Sequence, residues 1–239
     1  MSAIYLRLKK ILKDLTGVSI YRANTPWGLD IRNDISRLAP MWSPQTIFDV
    51  GANIGQKGKA FYKMWPHAKI FCFEPVQSTY QLLNKTTHNL PNVESFPLAL
   101  SSVSGESTIK VFKDSRLASL KYNDFNNKNT DIERVKKTTI DQFCEDNAIE
   151  KIDLLKIDTE GNDLEVLKGG SSYLESGCID FVLTEFSTGP RPGKVSIGKL
   201  DEFLAQKNMT CIGVYDQWYW GSRDIYDGNA LFVKKEVIK

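Results

Sequence analysis

The sequence has little excess charge of either sign. Its 31 lysines and arginines stand against 29 aspartates and glutamates, a formal net charge of +2. So small a balance supplies no overall field toward nucleic acid. The Lys-Lys pairs at 9–10, 136–137 and 234–235 are dispersed rather than gathered into a stripe, so no nucleic-acid partner is expected. Cysteine is scarce too: Cys72, Cys144, Cys178 and Cys211 form no C-x-x-C pair. Cys72 and Cys211 lie in apolar runs, where a thiol packs as a small hydrophobe. A reduced, cytoplasmic chain is expected. No apolar run approaches the roughly 18 residues of a membrane span. Of the two histidines, His67 reads as a surface residue and His88 as a helix-end residue rather than a base. Internal repeats and low-complexity segments are absent as well.

What is present is enough apolar material for a core, 41% of 239 residues. The opening stretch, MSAIYLRLKKILKDLTG, is too charged for the apolar core of a signal peptide. Ile4, Leu8, Ile11, Leu12 and Leu15 fall at helical spacing, with Arg7, Lys9, Lys10 and Lys13 largely elsewhere. Such a basic amphipathic helix over residues 4–15 suits peripheral contact with an anionic bilayer, although docking on its own domain is the favoured reading. Residues 1–45 are read as an N-terminal extension or cap, and 46–239 as the main domain.

From residue 46 strands and helices alternate. TIFDV (46–50) reads as a buried strand and 56–65 as a helix stopped by Pro66. Strand 69–74, helix 77–88 and a third strand over 93–100 follow. SGESTIKVF suggests a β-excursion, and 114–133 reads as a polar loop. IDLLKID (152–158) is a strong buried strand. The helix after it has Asn162 and Glu165 in a capping-box pattern, with Gly169 and Gly170 at its end. A strand at 179–186 and a helix at 196–208 lead to two final strands separated by an aromatic loop, 215–224. This alternation predicts an α/β doubly wound, mostly parallel sheet covered on both faces. The last pair, lacking a helix between them, forms an antiparallel hairpin at one edge.

In such sheets ligands sit beyond the carboxyl ends of the strands, at the switch in strand order. Gly51 and Gly55 follow the first core strand directly, and Glu74 ends the second. Glycines let backbone approach a ligand, and an acid at that strand end can accept from both hydroxyls of a ribose. The spacing G-A-N-I-G departs from the dinucleotide pattern G-x-G-x-x-G. Asp49 places negative charge at the turn, which disfavours a pyrophosphate and suits a ligand with an amino group. S-adenosylmethionine, with its ammonium, sulfonium and ribose, fits better than a nicotinamide dinucleotide.

FDVGANIG, FEP and, above all, IDLLKIDTEGNDLEVLKGG followed by FVLTEF resemble the FkbM-type family of S-adenosylmethionine-dependent methyltransferases. The resemblance runs from about residue 46 to 187, with Asp163 where a glutamate is commoner. It implies a class I methyltransferase fold, a seven-stranded Rossmann-like sheet, and O-methylation of a hydroxyl on a sugar, glycoconjugate or related natural product. It also implies roles. Gly51, Asn53 and Gly55 line the methionine part with Asp49 beneath, Glu74 holds the ribose, and Ala99 to Ser101 border the adenine. Asp158, Glu160 and Glu185 are the candidates to take the acceptor's proton. Asp158 and Glu185 end adjacent strands, as metal-binding acids do in catechol-type methyltransferases, but a divalent metal is not favoured. Asp216, Trp218, Trp220 and Arg223 are candidates to bind a small-molecule or glycan acceptor, the aromatics by stacking on sugar rings. The alternatives are an RNA or protein methyltransferase, which the missing Asn-Pro-Pro-aromatic tetrad disfavours, and a non-catalytic nucleoside-binding module.

Overall fold

The computed structural model describes Thr16 and residues 26–112, 130–189, 194–220 and 225–238. The amphipathic stretch 4–15, most of the polar segment 114–133 and Arg223 lie outside the described residues. In chain order the helices are α1 (Ile31–Leu38), α2 (Gln56–Met64), α3 (Gln77–Thr87), α4 (Ile140–Asp146), α5 (Asp163–Lys168), α6 (Ser171–Glu175) and α7 (Ile197–Ala205). The strands are β1 (Thr46–Val50), β2 (Lys69–Phe73), β3 (Val93–Phe96), β4 (Ala99–Leu100), β5 (Gly105–Phe112) and β6 (Thr130–Thr138). They continue with β7 (Ile152–Ile157), β8 (Ile179–Ser187), β9 (Met209–Trp220) and β10 (Ile225–Lys234).

Seven strands form the main sheet in the order β3-β2-β1-β7-β8-β10-β9. β1 pairs in parallel with both β2 and β7, while β10 runs antiparallel between β8 and β9. Every residue of β7 and β8 is buried, which explains their near-continuous apolar sequence: strands covered on both faces have no solvent side to mark with polar residues. Successive residues enter opposite cores. Phe48, Leu155 and Val182 pack into one cluster, and Ile47, Leu154 and Phe181 into the other. The strand order reverses at β1, so the clefts beyond β1, β2 and β7 meet at one point.

Three expectations change. The strand expected over 93–100 is broken after Phe96, and β4 joins a second, three-stranded sheet with β6 and β5. That sheet brings Ile109 and Val135 against Val76, giving the cleft a wall of its own. The expected aromatic loop is mostly strand, because β9 continues through Trp218 and Tyr219 in register with β10. Aromatic residues fit a pleated surface as readily as a loop. The capping box at Asn162 does not form: Asn162 makes no cap bond. Its amide donates to the Leu100 carbonyl at 3.2 Å, and Glu165 accepts from Ser102 at 2.7 Å. A cap needs the Asn162 side-chain oxygen to accept from the first turn, and the side-chain amide is instead oriented by its donation to the buried Leu100 carbonyl.

Candidate active site

A cavity of about 430 Å³ opens at the switch point, walled by the turn after β1, the end of β2, the β4 segment and the turn after β7. That is the size of a small-ligand site. Its first end is made of backbone. Gly51 and Ala52 donate to the Phe73 carbonyl at 3.0 and 2.9 Å, pinning the turn to β2. Gly51 has φ +73°, and a Cβ there would lie 2.0 Å from the Asp158 carbonyl oxygen; no other residue fits without moving β7. Asn53, at φ +50°, donates its amide to Glu74 Oε2 at 3.1 Å. Val76 donates to Glu74 Oε1 at 3.0 Å. Each oxygen of Glu74 is thus fixed by one backbone donor and keeps lone-pair capacity for a ligand. Burial pushes the Glu74 carboxyl up to about 7, against the pull of the Val76 and Asn53 amides.

Not all of the expected cofactor set reaches this end. Gly51, Asn53, Glu74 and Ala99 line the cavity. Gly55 does not: it turns at the head of α2 with its α-carbon facing Leu83 of α3, a packing role. Ser101 lies behind the wall, buried beside Asn162. Asp49 is also corrected. It is fully buried, and its Oδ1 is 2.8 Å from the Lys156 ammonium, so its charge is neutralised inside the protein. Lys156 donates to the Gly51 carbonyl at 3.1 Å and stands 3.7 Å from Asp158 Oδ2. Burial works against the Lys156 charge, but Asp49 and Asp158 more than offset it and hold its pKa above the ordinary lysine value. What the turn receives from Asp49 is a bracing lysine, not a negative charge.

The second end is made of side chains. Asp158 follows β7, Glu160 stands in the turn beyond at φ +53°, and Glu185 lies near the end of β8. One carboxylate oxygen from each lies within 4.8 Å of the others. Asp158 and Glu160 line the cavity, and Glu185 is buried behind them. The turn is shaped by Asp163, which accepts from the Gly161 and Thr159 amides at 3.1 and 3.4 Å. Burial first, then the charge of Asp158, raises Asp163 to about 6. The same two causes, in the same order, push Glu185 upward against Lys194. Lys194, which sequence reasoning passed over, places its ammonium 2.6 Å from Glu160 Oε2 and 2.5 Å from Glu185 Oε2. Nothing in its setting, G-K-V-S between two elements, signals that it turns inward.

The expected acceptor residues are less tightly gathered. Asp216, at φ +49° in β9, meets Lys57 at 3.2 Å, and Lys57 lines the cavity from the start of α2. Trp218 and Tyr219 are exposed on β9, outside the cavity wall, with Tyr219 packed on Tyr226 at 5.6 Å between ring centroids. The side chain of Trp220, like Arg223, lies outside the described residues. A second missed contact ties the chain's two ends. Tyr215 donates its hydroxyl to buried Asp34 at 2.9 Å, and Gly28 donates its amide to the same oxygen at 2.8 Å.

This sheet order, with a glycine turn after the first strand and an anchored acid after the second, defines a class I methyltransferase fold. The chain belongs to the FkbM methyltransferase family: the family model described as Methyltransferase FkbM domain matches residues 49–210. It is similar to the hexuronic acid methyltransferase AglP of Haloferax volcanii, 32% identical over 152 residues that cover 63% of this chain and 59% of that protein. It is also similar to the 2-O-methyltransferase NoeI of Sinorhizobium fredii, 26% identical over 154 residues that cover 59% of this chain and 63% of that protein. The matches therefore span less than two thirds of these relatives' own length. The solved structure of methyltransferase FkbM from Methylobacillus flagellatus shares the fold, with a TM-score of 0.50 at 16% identity over 79% of this chain and 43% of that one. Among the described residues no helix is long and apolar enough to cross a membrane.

Proposed function

We propose that this chain is an S-adenosylmethionine-dependent O-methyltransferase acting on a hydroxyl of a sugar or glycoconjugate. The observation that carries the cofactor reading is Glu74, whose two oxygens are each held by a backbone amide at the cavity wall. A carboxylate fixed this way, beside a turn with no room for a Cβ at Gly51, fits a ribose and the chain attached to it. The names of the relatives, hexuronic acid methyltransferase and 2-O-methyltransferase, support oxygen on a sugar-like acceptor.

When bound, S-adenosylmethionine supplies an electrophilic methyl on a sulfonium. This chain's residues do the rest. Glu74 accepts from the ribose hydroxyls, and Ala99 and Ile109, both in the cavity wall, flank the adenine. The turn at Gly51 and Asn53 lies along the methionine part. Holding the acceptor oxygen in line with the methyl is a proximity effect worth up to about 7–11 kcal/mol. Asp158, on the cavity wall and 39% exposed at its side chain, takes the acceptor's hydroxyl proton as the carbon–oxygen bond forms. A general base in this role adds about 10²–10⁴-fold. Glu160 and Glu185, already bound to Lys194, order the site rather than move the proton.

Calorimetric titration with S-adenosylhomocysteine, with NAD as the parallel control, tests the cofactor reading. Micromolar binding of the first alone is expected; binding of NAD alone overturns the proposal.

A further inference from the structure

The three carboxylates at the acceptor end converge as ligands of a divalent cation do, with oxygens from Asp158, Glu160 and Glu185 mutually within 4.8 Å. Hard cations gather several such oxygens from different elements. An ammonium already bridges two of the three carboxylates. Lys194 donates to Glu160 Oε2 at 2.6 Å and to Glu185 Oε2 at 2.5 Å, with its side chain 11% exposed. Burial alone disfavours its charge, but Glu185 and Glu160 together raise its pKa above the ordinary lysine value.

The backbone that delivers Lys194 is itself fixed. Ser187, the last residue of β8, donates its amide to the Val195 carbonyl at 2.9 Å and forms a parallel bridge with Ser196. The residues just after Lys194 are thereby pinned against the strand that carries Glu185. Two acids so close cannot both ionise cheaply without a partner, and a lysine offers a compact charge with several donors to share between them.

We propose that Lys194 is the resident cation of the acceptor end. It is a positioning residue that holds Glu160 and Glu185 beside Asp158 and takes the place of a divalent ion. The inference rests on the methyltransferase reading only for what the site does; the occupancy of the carboxylate cluster is tested on its own.

The test is titration with Mn²⁺, followed by the electron paramagnetic resonance of the free ion, on the wild type, Lys194→Arg, Lys194→Met and the double variant Lys194→Met/Glu185→Gln. Removing the ammonium while keeping the acids is expected to tighten Mn²⁺ binding by at least about tenfold, at one site per chain. The wild type and Lys194→Arg are expected to bind weakly, and the double variant to lose the gain. Wild-type binding as tight as that of Lys194→Met overturns the proposal. So does a Lys194→Met protein that keeps its circular dichroism and gains nothing; Lys194→Gln, which preserves a donor and much of the length, serves in its place if Met does not fold. Calorimetry with S-adenosylhomocysteine on the same proteins separates the two readings. A wild type that fails to bind it counts against the methyltransferase assignment and leaves the Mn²⁺ comparison intact.

Discussion

The two ends of the cavity are built from different materials. At the glycine turn the ligand-facing surface is largely backbone, held by four amide donations to Phe73 and Glu74, with the Glu74 carboxylate fixed among them. At the far end the surface is carboxylate, and its order comes from a lysine brought in by a connecting segment. The difference is one of tolerance. A backbone surface is fixed by the fold and fails when a side chain intrudes on it. A charged surface is fixed by its counterion and fails when the charge balance changes. On the proposed function, cofactor binding falls to the first end, and choice of acceptor and removal of a proton to the second.

The sharpest way to break this division is Asp158→Asn. If the far end serves the proton and the near end the cofactor, turnover falls by about 10²–10⁴-fold with S-adenosylhomocysteine affinity unchanged. Equal losses in both would merge the two ends. Gly51→Ala tests the backbone end from the opposite side. Strain at φ +73° and the close approach to Asp158 are expected to cost about 4 kcal/mol of stability, read as a shifted denaturant midpoint.

A smaller effect sharpens the comparison through pH. Glu74 titrates at about 7 in the folded protein, raised chiefly by burial from an ordinary value of 4.5. Between those values the folded chain keeps a proton that the unfolded chain has released. Stability therefore falls as pH rises from about 4.5 to about 7, by roughly 3 kcal/mol from this group. The ionised form is the better acceptor for ribose, so affinity for S-adenosylhomocysteine rises over the same window. Melting curves and calorimetry at pH 5 and pH 8 are expected to move in opposite directions in the wild type, and to lose most of that opposition in Glu74→Gln. A flat affinity profile in the wild type would remove Glu74 from the ribose.

The same contrast decides what could be read from the residues. The backbone end was legible, because turns, strand ends and glycines are local features: TIFDVGANIG and KIFCFE located β1, its turn, β2 and Glu74. So was the mostly parallel character of the sheet with its antiparallel final pair, since covered strands and intervening helices leave few alternatives. Asp158, Glu160 and Glu185 were legible as acids at strand ends. Their partner was not. Lys194 is a lysine whose direction depends on tertiary packing, and such a lysine reads as solvated until a neighbour claims it; Lys156, inside the IDLLKID strand, reads as paired with an acid, but its sequence does not say which. The reading of Asp49 failed for that reason, since its neutralising partner lies 107 residues away. Asn162 misled differently, because donation to a long-range carbonyl orients its side chain away from the acceptor role that a local cap requires. The aromatics of β9 satisfied both a loop pattern and a strand pattern, and only pairing with β10 decided between them.

The hydrogen bond from Tyr215 to Asp34 spans 181 residues, and the sheet places β10 between β8 and β9. β9 therefore has no place to dock in the sheet until the strand after it in the chain has formed. Asp34 has to wait for both before its carboxylate is fully paired. Contacts of such sequence separation close slowly, because the loop entropy is lost before the contact rewards it. The β8 edge and the α1 face are thus expected to be sealed late in folding. The expected outcome is late protection of β9 and β10 in pulsed hydrogen exchange during refolding, with the β8 edge, open until β10 pairs with it, as the place where misassembly between chains would begin.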